Sequence, residues 1–131
     1  MANTKNIQEK NKEVVVAFYK EAHFDGDVDG AIARYVGNTY IQHTPGAADG
    51  VEGLRNYINA FLETFPSAKG DIRRVIAEDD IVVVHAHWTG LISPNGDVGV
   101  DIFRVKDGKL LEHWDVIAAI PDTSKNQNTM Y

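Results

Sequence analysis

The run from Val100 to Val116 constrains this chain more than any other stretch. It reads as two alternating strands joined at Asp107-Gly108, a dipeptide suited to a tight hairpin turn. A strand has a side-chain period of two, so His113 and Asp115 point one way, and Asp101, Phe103 and Val105 share a face on the other arm. Acids and a histidine thus stand on faces that otherwise read apolar. Ionisable groups on a half-buried sheet need partners or a cavity. The pattern therefore predicts a sheet that lines a pocket as well as a core.

The rest of the chain supplies what such a sheet packs against. Apolar residues recur at helical spacing from Lys5 to His23, with Val14, Val15, Phe18, Tyr19 and Ala22 on one stripe. A short second helix is predicted from Asp27 or Asp29, either able to cap free amides, to a stop at Gly37. Asn38 to His43 reads extended. A third helix opens near Gly50 and ends at Thr64 before Pro66, with a broad stripe through Leu54, Tyr57, Ile58 and Phe61. Strands follow at 69–78, 81–92, 98–106 and 110–120, separated by Glu78-Asp79-Asp80, Pro94-Asn95-Gly96-Asp97 and Asp107-Gly108. Short links between long strands imply an antiparallel meander, and helices before strands give an α+β class with the helices on one face of a curved sheet.

A chain of 131 residues makes one domain, with a core at about residues 5–121 and a polar tail over 122–131 that is expected to be mobile or ordered by a partner. The net charge of -6 leaves no basic stripe, which excludes nucleic acid and anionic membrane as partners. The absence of cysteine excludes disulfides, thiolate nucleophiles and cysteine-ligated zinc. The polar stretch Met1–Lys12 does not resemble a secretion signal, so the expected location is the cytoplasm.

Several constellations invite chemistry. Asp25 to Gly30 imitates the start of a calcium loop, but Val36 stands where the bidentate glutamate belongs, so this segment is expected to be a turn with a helix cap. His85 and His87 share a strand face at a spacing that could grip a metal with Asp101 or Asp115. No third histidine sits at a diagnostic interval, so no metal is assigned and one or both imidazoles are expected to hydrogen-bond inside the pocket. Trp88 and Trp114 then fall on the opposite, outer face, where a homodimer interface is expected to cover them. His43 precedes a Pro-Gly turn and either projects over a cavity mouth or pins its own loop. No serine lies in a nucleophile elbow and no glycine-rich phosphate loop is present.

Tyr40-Ile41-Gln42-His43, Asp49-Gly50-Val51-Glu52-Gly53, Val82-Val83-Val84-His85-Ala86-His87, Val100 to Arg104 and Glu112-His113-Trp114-Asp115-Val116, taken in order, resemble the SnoaL-like polyketide cyclase family over about residues 10–121. The resemblance implies a nuclear-transport-factor-2-like, cystatin-like α+β cone: three amino-terminal helices on a strongly bent antiparallel sheet that encloses an apolar pocket. It also implies dimers built through the outer sheet face, and ring closure by intramolecular aldol chemistry without metal or organic cofactor. The family's acid/base aspartate follows a histidine by two positions, which maps onto Asp115 after His113. Asp101 stands where the cyclases often carry histidine, so a polyketide substrate is not carried over.

The expected activity is cofactor-free proton transfer next to a carbonyl, as in cyclisation, isomerisation or dehydration, on an apolar carbonyl-containing small molecule. The alternative is a non-catalytic binding or carrier protein of the same fold. Asp115 is the expected base, His113 and Asp101 orient and share the proton, and His43 or His87 donates toward the substrate oxygen. Apolar burial and a neighbouring carboxylate would make the two aspartates a coupled pair. Phe18, Tyr19, Tyr40, Phe61, His85 and Phe103 are the candidate substrate contacts.

Overall fold

A computed structural model of the chain describes residues 4–131; Met1–Asn3, part of the polar amino-terminal stretch and of the expected domain, lie outside them. The first helix α1 (Thr4–Tyr19) runs into one wide π-turn at Lys20–Phe24 and is followed by α2 (Val28–Tyr35). Strand β1 (Val36–Gln42) and helix α3 (Gly50–Thr64) precede strands β2 (Lys69–Glu78), β3 (Ile81–Thr89), β4 (Asp97–Lys106) and β5 (Lys109–Ala119). Asp27 caps α2 by accepting from the Gly30 amide at 3.2 Å and pairs with Arg34 at 2.7 Å, so the calcium-like segment is a capped turn.

The strand order is β1-β5-β4-β3-β2. The four later strands form the expected antiparallel meander, and the extended segment before α3 adds a fifth strand that pairs in parallel with β5. The β4–β5 turn places both Asp107 (φ 51) and Gly108 (φ 75) in the left-handed region, the conformation that a two-residue hairpin needs for its twist.

Helix α1 and the π-turn after it bury Val15, Phe18, Tyr19 and Ala22, the i, i+3, i+4, i+7 stripe, in one core with Val82 and Val84 of β3 and Phe103 and Val105 of β4. Leu54 and Ile58 of α3 join the same core. One irregularity decides what the last strand can do. Val105 pairs with Leu110 and Arg104 with Glu112, which leaves Leu111 as an extra, unpaired residue. Leu110 is fully buried, so uninterrupted alternation would turn Glu112 and Trp114 inward. The bulge resets the parity, and His113 and Asp115 face the helices instead.

The polar tail is seated rather than loose. His85 Nε2 donates to the Met130 carbonyl at 3.0 Å, and the Tyr131 ring stacks on His87 with centroids 3.8 Å apart. Backbone carbonyl and aromatic ring give residues 122–131 an anchor that their polar composition did not predict. No helix among the described residues is long and apolar enough to cross a membrane.

Candidate active site

Between the helices and the concave sheet face lies a cavity of about 70 Å³. Its walls are mostly apolar: Phe18 and Tyr19 from α1, Leu54, Tyr57, Ile58 and Phe61 from α3, Trp88 from β3 and Phe103 from β4. Asp101, His113, Asp115 and Gln42 supply its polar end.

These groups are wired in one continuous chain. Gln42 Oε1 accepts from the Thr44 amide at 3.2 Å, which identifies that atom as the oxygen, so His113 Nδ1 must donate to it at 2.7 Å. His113 Nε2 lies 2.8 Å from Asp101 Oδ1, and this contact holds one shared proton, as imidazolium with carboxylate or imidazole with carboxylic acid. Tyr19 donates to the other oxygen, Asp101 Oδ2, at 3.2 Å and accepts from Trp88 Nε1 at 3.1 Å. Burial first, and then the Asp101 charge, push the Tyr19 phenol well above its ordinary range, so it stays a proton donor at neutral pH. On the far side, the Thr44 hydroxyl lies 3.3 Å from His113 Nδ1 and donates to Asp115 Oδ1 at 2.9 Å.

The two aspartates sit directly opposite each other on β4 and β5 but are not equivalent. Asp101 has both oxygens engaged, by His113 and Tyr19. Asp115 is held through Oδ1 alone; among the described residues no protein group donates to its Oδ2. A carboxylate oxygen without a protein donor, on a residue that lines the cavity, is placed to meet a ligand. Asp101, His113 and Asp115 also bring ligand-type atoms within 4.8 Å of one another, so a cation would be held here if anywhere among the described residues.

Other candidates stand elsewhere. Of the candidate substrate contacts, Phe18, Tyr19, Phe61 and Phe103 line the cavity. Tyr40 is buried in the core beside it, with a hydroxyl that has no partner. His85 and His87 lie on the outer face, where Arg74 Nη1 contacts His85 Nδ1 and the tail covers both rings. Neither hydrogen-bonds inside the pocket or shares a metal set with Asp101 or Asp115. The inward positions of β3 are Val82, Val84, Ala86 and Trp88, and Trp88 is only 7% exposed. Its indole fills the cavity wall, so it is not on an outer dimer surface. Apolar residues occupy both parities at the start of β3, and the tryptophan, the largest apolar group on that strand, takes the covered side.

Trp114 does face outward, stacked by His43 at 4.7 Å and overlain by the Arg104 guanidinium at 5.8 Å. His43 bonds Glu112 at 2.8 Å there and does not project over the cavity. Its own amide donates to the His113 carbonyl at 3.0 Å, which leaves Gln42, one residue earlier, pointing in. Gln42 and Thr44 were not anticipated. Gln42 was accessible to reasoning, since it shares the parity of buried Tyr40, whereas Thr44 lies past the strand end and carries no pattern.

Residues 13–121 match the model of the SnoaL-like polyketide cyclase family. The chain belongs to that family. Solved structures agree in fold. A candidate SnoaL-like polyketide cyclase from a Jannaschia species superposes with TM-score 0.74 at 22% identity, covering 89% of this chain and 91% of its own. A candidate polyketide cyclase from Acidithiobacillus ferrooxidans gives 0.70 at 24% identity over 82% and 87%. A candidate hydroxylase from Streptomyces galilaeus gives 0.66 at 19% identity over 85% and 90%. No curated protein matches the sequence. The family and these neighbours establish the nuclear-transport-factor-2-like cone, while the neighbours, candidate cyclases and a candidate hydroxylase, show one architecture assigned to more than one reaction.

Proposed function

We propose that this SnoaL-like protein catalyses cofactor-free proton transfer at a carbon next to a carbonyl, as the first step of an aldol-type cyclisation, isomerisation or dehydration. The observation that carries the reading is the asymmetry of the two aspartates. Asp115 Oδ2 is the base, held by the Thr44 hydroxyl on its other oxygen. It takes a proton from carbon, and the C–H electron pair moves into the carbonyl to form an enolate. The developing oxyanion takes the place of one partner of Asp101 and accepts either the Tyr19 hydroxyl hydrogen or the proton shared between Asp101 and His113. In a ring closure the enolate carbon attacks a second carbonyl, and Asp115 returns its proton to the new alkoxide. No electrons are gained or lost overall.

His43 and His87, the donors expected from sequence, are replaced in this role by Asp101–His113 and Tyr19. The mostly apolar walls favour a small ketone with apolar surface. The cavity is smaller than the roughly 150 Å³ that holds one benzene ring but is not sealed, so it takes part of an aromatic ligand and leaves the rest at its mouth.

The test is solvent-deuterium incorporation next to the carbonyl of aryl ketones and β-diketones, followed by proton NMR with wild type and Asp115→Asn. Loss of one general base costs on the order of 10²- to 10⁴-fold in rate. Ketones that bind without exchanging in the wild type, or that exchange equally in Asp115→Asn, would support the carrier reading instead.

A further inference from the structure

The π-turn at Lys20–Phe24 brings to the cavity a histidine that the proposed proton transfer does not use. His23 Nδ1 lies 3.3 Å from the Tyr19 carbonyl, which can only accept, so that nitrogen carries the hydrogen. In the neutral ring Nε2 is then a bare lone pair. The neutral form is the one this environment favours: burial lowers the proton affinity of His23, and His113 lowers it further, against the opposing pull of Asp101 and of the Tyr19 carbonyl.

The ring is fixed among others, with Tyr19 at 5.0 Å, Phe61 at 5.8 Å and Trp88 at 6.2 Å between centroids. Among the described residues no protein group donates to Nε2. The cavity therefore has two polar features of opposite kind: an acid–imidazole cluster that moves protons, and a lone acceptor set in an aromatic wall.

We propose that His23 is a specificity-determining residue whose Nε2 accepts a hydrogen bond from a hydroxyl of the ligand. The substrate class is then a hydroxylated aryl or enolic ketone, with its carbonyl end at Asp101 and Asp115 and its hydroxyl against His23. An unsubstituted apolar ketone leaves this acceptor unpaired. Only the orientation of the carbonyl rests on the preceding functional reading; the acceptor role concerns binding.

Two measurements on the full chain test it. Nitrogen-15 NMR of the imidazoles at neutral pH should show His23 neutral with hydrogen on Nδ1, and its Nε2 signal should shift when 4-hydroxyacetophenone is added. Calorimetric titration should then show wild type gaining roughly tenfold in affinity for 4-hydroxyacetophenone relative to 4-methylacetophenone, an isosteric pair, as expected for one buried hydrogen bond. His23→Phe should erase that preference, and His23→Gln, which keeps an acceptor oxygen, should restore part of it. A His23 that carries hydrogen on Nε2, a preference unchanged in His23→Phe, or failure of both ketones to bind would overturn the proposal. Because these readouts are binding and tautomer, they stand or fall separately from the deuterium exchange that tests Asp115.

Discussion

Strands β3 and β5 carry nearly the same sequence device, an ionisable residue followed two positions later by another, and the fold uses them in opposite ways. His113 and Asp115 on β5 face the cavity, where they are joined to Asp101, Thr44 and Gln42. His85 and His87 on β3 face outward and hold the carboxyl-terminal tail. The difference lies in the neighbours. On β3 the alternate parity offers Val82, Val84, Ala86 and Trp88, enough apolar surface to claim the covered side. On β5 the residues between and after the polar pair are Trp114 and Val116, and the Leu111 bulge turns them out although Leu110 just before it is buried. A spacing motif therefore reports that two side chains share a face; competition with the rest of the strand decides which face.

Deleting Leu111 breaks the comparison most severely. Without the extra residue, Leu110 can stay in the core or His113 and Asp115 can face the cavity, but not both. The expected result is loss of cooperative unfolding by circular dichroism, or a folded protein in which His113 becomes freely solvent-exposed by NMR.

Replacing His113 with Leu is the next largest effect. Asp101 would lose its closest partner at a site where its side chain is 16% exposed, and leaving such a group short of a hydrogen-bond partner costs about 1–3 kcal/mol. Urea unfolding should show a lower midpoint with an unchanged slope.

A smaller effect is a dependence on pH. The native proton affinity of His23 lies below its ordinary value of 6.5, so below about that pH the unfolded chain binds a proton that the native state refuses. The stability contributed by burying the neutral ring is complete above that value and is lost as pH falls through the lowered native one. Urea midpoints of wild type and His23→Gln should therefore converge between about pH 7.5 and about pH 5.

The smallest effect is His87→Ala. Loss of the Tyr131 stack costs about 1 kcal/mol or less. The expected readout is faster amide exchange over residues 122–131 with no change inside the cavity.

Much of the architecture was legible from sequence because its signals were redundant. Helix α3 has an apolar stripe, a glycine at its start and Pro66 just past its end; β2 and β3 meet at an acidic turn; β4 and β5 meet at Asp107-Gly108. That His113 and Asp115 share a face followed from parity, but that this face is the inward one depends on the bulge at Leu111, which turns Trp114 and Val116 out. The facing of β3 did not follow, because Ile81 to Val84 are apolar on both parities and the later histidines were weighed as ligands instead of as the polar side. His23 and Thr44 lie outside any strand alternation, one on a π-turn and one in a loop. Their places depend on backbone geometry that composition does not encode. The tail was read from its polarity alone, whereas two contacts at its end, from Met130 and Tyr131, hold it.

The central claim is that the inward pair on β5 does proton chemistry and the outward pair on β3 does not. Deuterium exchange into one bound aryl ketone, measured side by side for wild type, Asp115→Asn and a His85→Ala/His87→Ala double variant, tests this directly. The account predicts exchange in wild type and in the histidine double variant at similar rates, with a drop on the order of 100-fold or more in Asp115→Asn. Full exchange in Asp115→Asn, or loss of exchange on removal of the outer histidines, would contradict it.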